Sequence, residues 1–152
     1  MRAFHITRLE DCHLSQAAEL EQLCFTQPWS ESSLAILTQQ NGVGIAALTD
    51  GGKLVGYCGM LTVLDEGQIT NVAVHPEFRR MGIGTALLNR LLEEANALGV
   101  TQISLEVRES NSAAKALYLR HGFTVAGVRK RFYSHPTEDG LVMVRKTVES
   151  KL

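Results

Sequence analysis

Apolar residues recur every fourth position at Ile83, Leu87, Leu91 and Ala95, with Leu88 and Leu92 beside them. That spacing lays one wide apolar stripe along a helix, which runs over about Thr85 to Ala97 and ends at Gly99. Elsewhere the period changes. From Gln102 to Val107 the chain alternates, with Ile103, Leu105 and Val107 toward one face and Gln102, Ser104 and Glu106 toward the other, as in a half-buried strand. Shorter apolar runs predict strands at Phe4 to Leu9, Gly44 to Thr49, Lys53 to Leu61, Gln68 to Val74, Val125 to Phe132 and Leu141 to Lys146. Asp50-Gly51-Gly52 tolerates the positive φ of a tight turn, so the strands on either side of it read as an antiparallel hairpin. Further helices are predicted from about His13 to Leu23, closed by Pro28, and from an N-cap at Ser30, with Ser33 three residues on, to about Gln39. Ser112 to Arg120 makes a short helix stopped by Gly122. Elements in this order describe a mixed α/β sheet with helices on both faces.

The length of 152 residues, free of repeats and long linkers, fits one domain over residues 1–152. Such a chain buries roughly 70% of the surface its unfolded form would expose. Fifteen Lys plus Arg against sixteen Asp plus Glu leave no overall field to draw nucleic acid, so a partner would be recognised locally. Cys12, Cys24 and Cys58 are odd in number, widely spaced and lack Cys-x-x-Cys pairing, which reads as reduced thiols. His5, His13, His75, His121 and His135 have no ligand spacing, so no metal is expected. The run from Met1 through Phe4 into Arg8, Glu10 and Asp11 lacks the apolar core of a signal peptide. No run approaches the roughly 18 apolar residues of a membrane span, and a cytoplasmic location is expected.

The most specific local signal is Arg79-Arg80-Met81-Gly82-Ile83-Gly84, which follows the strand-like Ile69 to Val74 and opens the helix that continues from Thr85. A glycine-rich turn from strand to helix leaves the first helical N–H groups unpaired at the positive end of the helix dipole. Gly82 and Gly84 lack the Cβ that would hold a phosphate off the backbone, and Arg79 and Arg80 add charge at the rim. A phosphate or pyrophosphate ligand is expected. The P-loop is excluded because Gly84 is followed by Thr85 with no lysine. A dinucleotide fingerprint is excluded because Leu87 stands where its third glycine belongs.

This segment resembles the Arg/Gln-x-x-Gly-x-Gly/Ala loop of the GCN5-related N-acetyltransferases. The likeness extends over nearly the whole chain: Val72 to Arg80 into the loop, Leu105-Glu106-Val107-Arg108, Asn111, Ala116-Leu117-Tyr118 and Gly122-Phe123. Pro28-Trp29-Ser30-Glu31, Arg131-Phe132-Tyr133 and Glu138-Asp139 before Leu141-Val142-Met143 are most like the bacterial members that acetylate the N-terminal alanine of a small-subunit ribosomal protein. Met81 departs from the pattern, standing where a basic residue is common.

The resemblance implies a mostly antiparallel mixed sheet, acetyl-coenzyme A as co-substrate, and direct transfer in a ternary complex to a protein α-amino group. It marks Glu106 as general base and Tyr118 as the acid that protonates the departing thiolate. Val72, Ala73 and Val74 would meet the pantetheine arm, Arg79, Arg80, Met81, Gly82, Ile83, Gly84 and Thr85 the pyrophosphate, and Asn111 the coenzyme. Taken by themselves, Glu106 reads as a solvent-facing carboxylate, Tyr118 as a core tyrosine and Asn111 as an ordinary N-cap. Trp29 and Tyr133 fit either an acceptor groove or core packing. Three rivals stay open: acetylation of a small amine or amino acid, acetylation of a protein lysine, and a coenzyme-binding, ribosome-associated module without catalysis.

Overall fold

The computed structural model describes residues 4–147. Seven strands form one sheet in the order β1-β2-β3-β4-β5-β7-β6, with β1 His5–Arg8, β2 Gly42–Leu48, β3 Leu54–Val63, β4 Glu66–Val74, β5 Gln102–Arg108, β6 Thr124–Tyr133 and β7 Glu138–Lys146. Of the six strand pairs only β4 with β5 is parallel. The helices are α1 Leu14–Cys24, α2 Glu31–Leu34, α3 Ile83–Ala97 and α4 Ser112–Arg120. Expected and observed elements agree in kind and order. The segment after Ser30 is shorter as α-helix than expected and finishes as a 3-10 turn over Ala35–Thr38, although Ser30 does cap it by accepting the Ser33 N–H.

Burial explains the layers. Ile83, Leu87, Leu88, Leu91 and Ala95 of α3 pack with Ile103, Leu105 and Val107 of β5 and with Tyr118 and Phe123 into one core. A second core on the opposite face joins Leu14, Ala17 and Leu20 of α1 and Leu34 and Leu37 to Ala46, Leu48, Tyr57 and Ala73. Because side chains alternate along β5, Glu106 faces away from α3, toward the α1 side.

Two irregularities in β4 position the site. Its register against β3 shifts at Thr70, with Gly59 opposite Asn71 and Met60 opposite Ile69. The extra residue turns Ile69 toward the α3 core and Asn71 toward α1. Pairing with β5 also stops early: Glu66, Gly67 and Gln68 face Gln102, Ile103 and Ser104, and beyond them the strands part.

Candidate active site

The parting of β4 from β5 leaves one edge of β4 open from Ile69 onward. The His75 N–H donates to the Val55 carbonyl at 2.8 Å, so by antiparallel alternation Ala73 turns its backbone groups to β3 while Val72 and Val74 turn theirs into the gap. Ala73 therefore differs from its neighbours: its backbone belongs to the β3 ladder and its side chain to the α1 core. The Val74 carbonyl is already in use, accepting from Arg79 Nε at 3.2 Å and from the Cys24 thiol at 3.5 Å. The Val72 N–H and C=O and the Val74 N–H remain for an amide-bearing ligand.

The open edge leads into the glycine loop. Gly82 precedes α3 at φ 81°, a left-handed conformation that glycine adopts without strain, and Arg80 also has positive φ. No side chain caps α3, so the N–H groups of Ile83, Gly84 and Thr85 keep the free direction of a helix start. At Gly84 a Cβ would meet Leu117 at 3.4 Å, so this glycine also lets α3 lie close to α4. Arg80 and Met81 are exposed. Together these groups can hold an anion by backbone N–H groups, dipole and charge.

Tyr118 lies beside the same loop on α4, buried to 6% exposure in edge-to-face contact with Phe123 at 5.7 Å between ring centroids. Burial raises its phenol well above the usual range, so it stays protonated and can only give a proton. Asn111 caps α4 by accepting the Ala114 N–H at 3.1 Å through Oδ1, which leaves its amide Nδ2 for a ligand. The two residues differ in environment: Asn111 is exposed and Tyr118 is core.

Glu106 is not freely solvated. Its side chain is 18% exposed, and Oε2 lies 2.6 Å from Nε of Arg129, a β6 residue that is itself 59% exposed. Oε2 is buried and no N–H is aligned to it, so the contact is ionic rather than a formed hydrogen bond. An incoming ammonium would compete with that guanidinium for the carboxylate. Tyr133 is half-buried and within electrostatic reach of both Glu106 and Tyr118. Burial first, then the negative charge of Glu106, pushes its phenol up to about 12, against the opposing pull of Arg108.

Arg108 holds this end together. Its guanidinium lies 4.6 Å from the Tyr133 ring centroid and donates to Ser134 O at 2.9 Å, Pro136 O at 2.9 Å, Glu138 Oε1 at 3.2 Å and Thr26 Oγ1 at 3.3 Å. It thereby links the β6–β7 turn to the segment after α1. Trp29 is in that segment, partly buried against the α1 core rather than fully exposed.

Sequence reasoning missed three groups. Arg108 and Arg129 carry no local signal, since their partners lie on other strands. Glu21 does carry one, a charge set between the apolar positions Ala17, Leu20 and Cys24 of α1. A trio of Glu10, Cys12 and His13 draws together at the other end of α1, with His13 Nδ1 already accepting the Glu10 N–H. Among the described residues no helix is long and apolar enough to cross a membrane.

Known proteins share this sequence pattern and fold. The profile of the Acetyltransferase (GNAT) family matches residues 14–123. A curated relative from Escherichia coli (strain K12), the [ribosomal protein bS18]-alanine N-acetyltransferase, is 40% identical over 135 residues, covering 89% of each chain. The crystal structure of the ribosomal-protein-S18-alanine N-acetyltransferase from Escherichia coli superimposes with a TM-score of 0.88 at 34% identity, over 97% of this chain and 96% of that one. The NatC complex bound to Gag peptide and CoA shares the fold alone, with a TM-score of 0.86 at 18% identity over 97% of this chain and all of the matched one.

Proposed function

The chain belongs to the acetyltransferase (GNAT) family, and on that premise we propose that it moves an acetyl group from acetyl-coenzyme A to the α-amino group of a protein N-terminal alanine, with ribosomal protein bS18 as the acceptor. Residues 1–152 act as one N-acetyltransferase domain in the cytoplasm. The observation that carries this reading is the open β4 edge running into the uncapped start of α3, with Tyr118 on one side and Glu106 on the other. The 40% identity to the Escherichia coli relative supports the choice of acceptor.

Val72 and Val74 take the amides of the pantetheine arm as an added strand would, while residues 79–85 hold the pyrophosphate and Asn111 Nδ2 a further coenzyme oxygen. Acetyl-coenzyme A supplies the thioester. The acceptor ammonium enters between Trp29 and Tyr133, displaces Arg129 from Glu106, and gives Glu106 a proton directly or through water. The neutral amine attacks the thioester carbonyl, the C–S bond breaks, and Tyr118 gives its proton to the thiolate. The new amide nitrogen sheds its second proton through water to the Tyr118 phenolate, and Glu106 releases its own proton to solvent.

The test is thiol release from acetyl-coenzyme A with an alanine-initiated bS18 peptide, against the same peptide with a blocked terminus and a free lysine. Modification mapped by mass spectrometry to the α-amino group is expected. Transfer mainly to lysine, or to free amino acids, overturns the acceptor assignment.

A further inference from the structure

Glu21 is fully buried on α1, and no cation pairs with it among the described residues. A carboxylate in such a place is expensive unless several donors serve it. Three do, each from a different element. Oε1 accepts the Trp29 N–H at 2.9 Å, and Oε2 accepts the Asn71 amide at 2.8 Å and the Tyr57 hydroxyl. Tyr57 belongs to β3 and Asn71 to β4, immediately after the register shift that turns its side chain toward α1.

A merely structural carboxylate could bind any neighbouring donors. This one joins the chain segment carrying Trp29 to the strand whose free edge opens at Val72. The same segment is tied a second time, at Thr26, by the Arg108 guanidinium that also stacks on Tyr133. Trp29 and Tyr133 are thus the ends of one hydrogen-bonded frame, with Glu21 and Arg108 as its two fasteners.

We propose that Glu21 is a positioning residue for the acceptor: its carboxylate locks the Trp29 segment onto the bulged part of β4 and so fixes the wall against which the incoming N-terminus lies. The inference rests on the acceptor site proposed above. The coenzyme side is independent of it, because the β3 ladder holds Val72 opposite Cys58 and Val74 opposite Gly56.

Trp29 is the only tryptophan in the chain, so its emission reports the segment directly. Glu21→Leu removes both acceptor oxygens, and with them all three hydrogen bonds, at similar size. The expected result is a red-shifted emission with easier acrylamide quenching, a KM for the alanine peptide raised at least tenfold, and an acetyl-coenzyme A Kd within about threefold of wild type. Glu21→Gln should restore most of both readouts, since its amide oxygen still accepts the Trp29 N–H and a turned Asn71 amide can accept from its nitrogen. If Glu21→Leu does not fold, Asn71→Leu cuts only the β4 end and should give the same split between peptide KM and coenzyme Kd. Unchanged emission and KM in a folded variant overturns the proposal, as does a loss in both substrates that simply follows the melting temperature. A shifted emission in a protein whose wild type ignores the alanine peptide would leave Glu21 as the fastener and sink the acceptor assignment instead.

Discussion

Tyr118→Phe separates chemistry from packing better than any other single change in this site. The ring keeps its edge-to-face contact with Phe123 and its place in the α3 core, and only the hydroxyl is lost. That hydroxyl makes no hydrogen bond to another described residue, so its removal strands no partner. Stability should therefore stay within about 1 kcal/mol of wild type, a melting shift of roughly 2–4 °C for a chain of this size. Loss of a general acid is different, costing about 10²- to 10⁴-fold in kcat, or about 2.7 to 5.4 kcal/mol in the barrier. Affinity for acetyl-coenzyme A should hardly move, because the ring and the backbone sites remain. The assay pairs thiol release with an alanine peptide, calorimetry with acetyl-coenzyme A, and a thermal melt on the same sample. Burial keeps the phenol protonated above its ordinary range, so wild-type turnover should not fall through titration of Tyr118 below about pH 10. A folded variant with near wild-type turnover would remove Tyr118 from the mechanism, and a fall in kcat that merely tracks a lowered melting temperature would make it a packing residue.

Three further outcomes are expected. Glu106→Gln should bind acetyl-coenzyme A normally and lose most activity near pH 7, then regain part of it as pH rises past the α-amino pKa of about 7.7–8.0; a pH profile identical to wild type would count against the base. Gly84→Asp puts an anion at the α3 start, where the helix dipole favours it by about 0.3–1 kcal/mol, and a Cβ there meets only Leu117 and Val74, so calorimetry should find at least tenfold weaker coenzyme binding in a protein that melts no lower. The Glu138 and Asp139 carboxyls lie below their ordinary values of 4.5 and 3.8, through hydrogen bonds from Ser110 and from the Arg131 N–H respectively, so the folded state binds fewer protons than the unfolded one and their stabilisation is complete above about pH 4.5 and lost as pH falls. Melting temperature followed from pH 6 down to 3 should therefore drop less steeply in Glu138→Gln than in wild type.

How far the sequence reached depends on how local each feature is. The α3 stripe and the β5 alternation are written in periods of 3.6 and 2, so they are legible without partners, and the Gly82 turn is legible because its φ restricts the residue type. The β4 register shift is not, because Thr70 becomes an extra residue only when Met60 pairs with Ile69 and Gly59 with Asn71. Nor is the Glu106–Arg129 contact, which spans β7, the strand between β5 and β6, where Val142 lies opposite Glu106 and Gly140 opposite Arg129. Glu21 hides for a further reason: a charge on an amphipathic helix ordinarily marks the solvent side, and only the donors from Tyr57, Asn71 and Trp29 make the interior tolerable.

In the proposed reaction these non-local features explain why donor and acceptor can meet without a covalent relay. The parted strands admit the thioester from the side where α3 and α4 supply the anion site and the phenol. On the other face of the same gap Glu106 points toward the α1 side, and an acceptor reaches the carbonyl from there. Gly140 keeps that approach low: a Cβ there would lie 3.1 Å from the Tyr133 ring and 3.2 Å from that of Phe132, so any larger residue would push the aromatic wall outward. Arg129 then has a consequence beyond geometry. Resting on Glu106 from a mostly exposed position, it shields the carboxylate from bulk cations, yet it leaves into water at little cost when the ammonium of a docked N-terminus, held by the Trp29 and Tyr133 walls, comes within reach. A free cation lacks those walls and must compete with Arg129 on charge alone, which favours a terminus that binds through its following residues over an isolated amine.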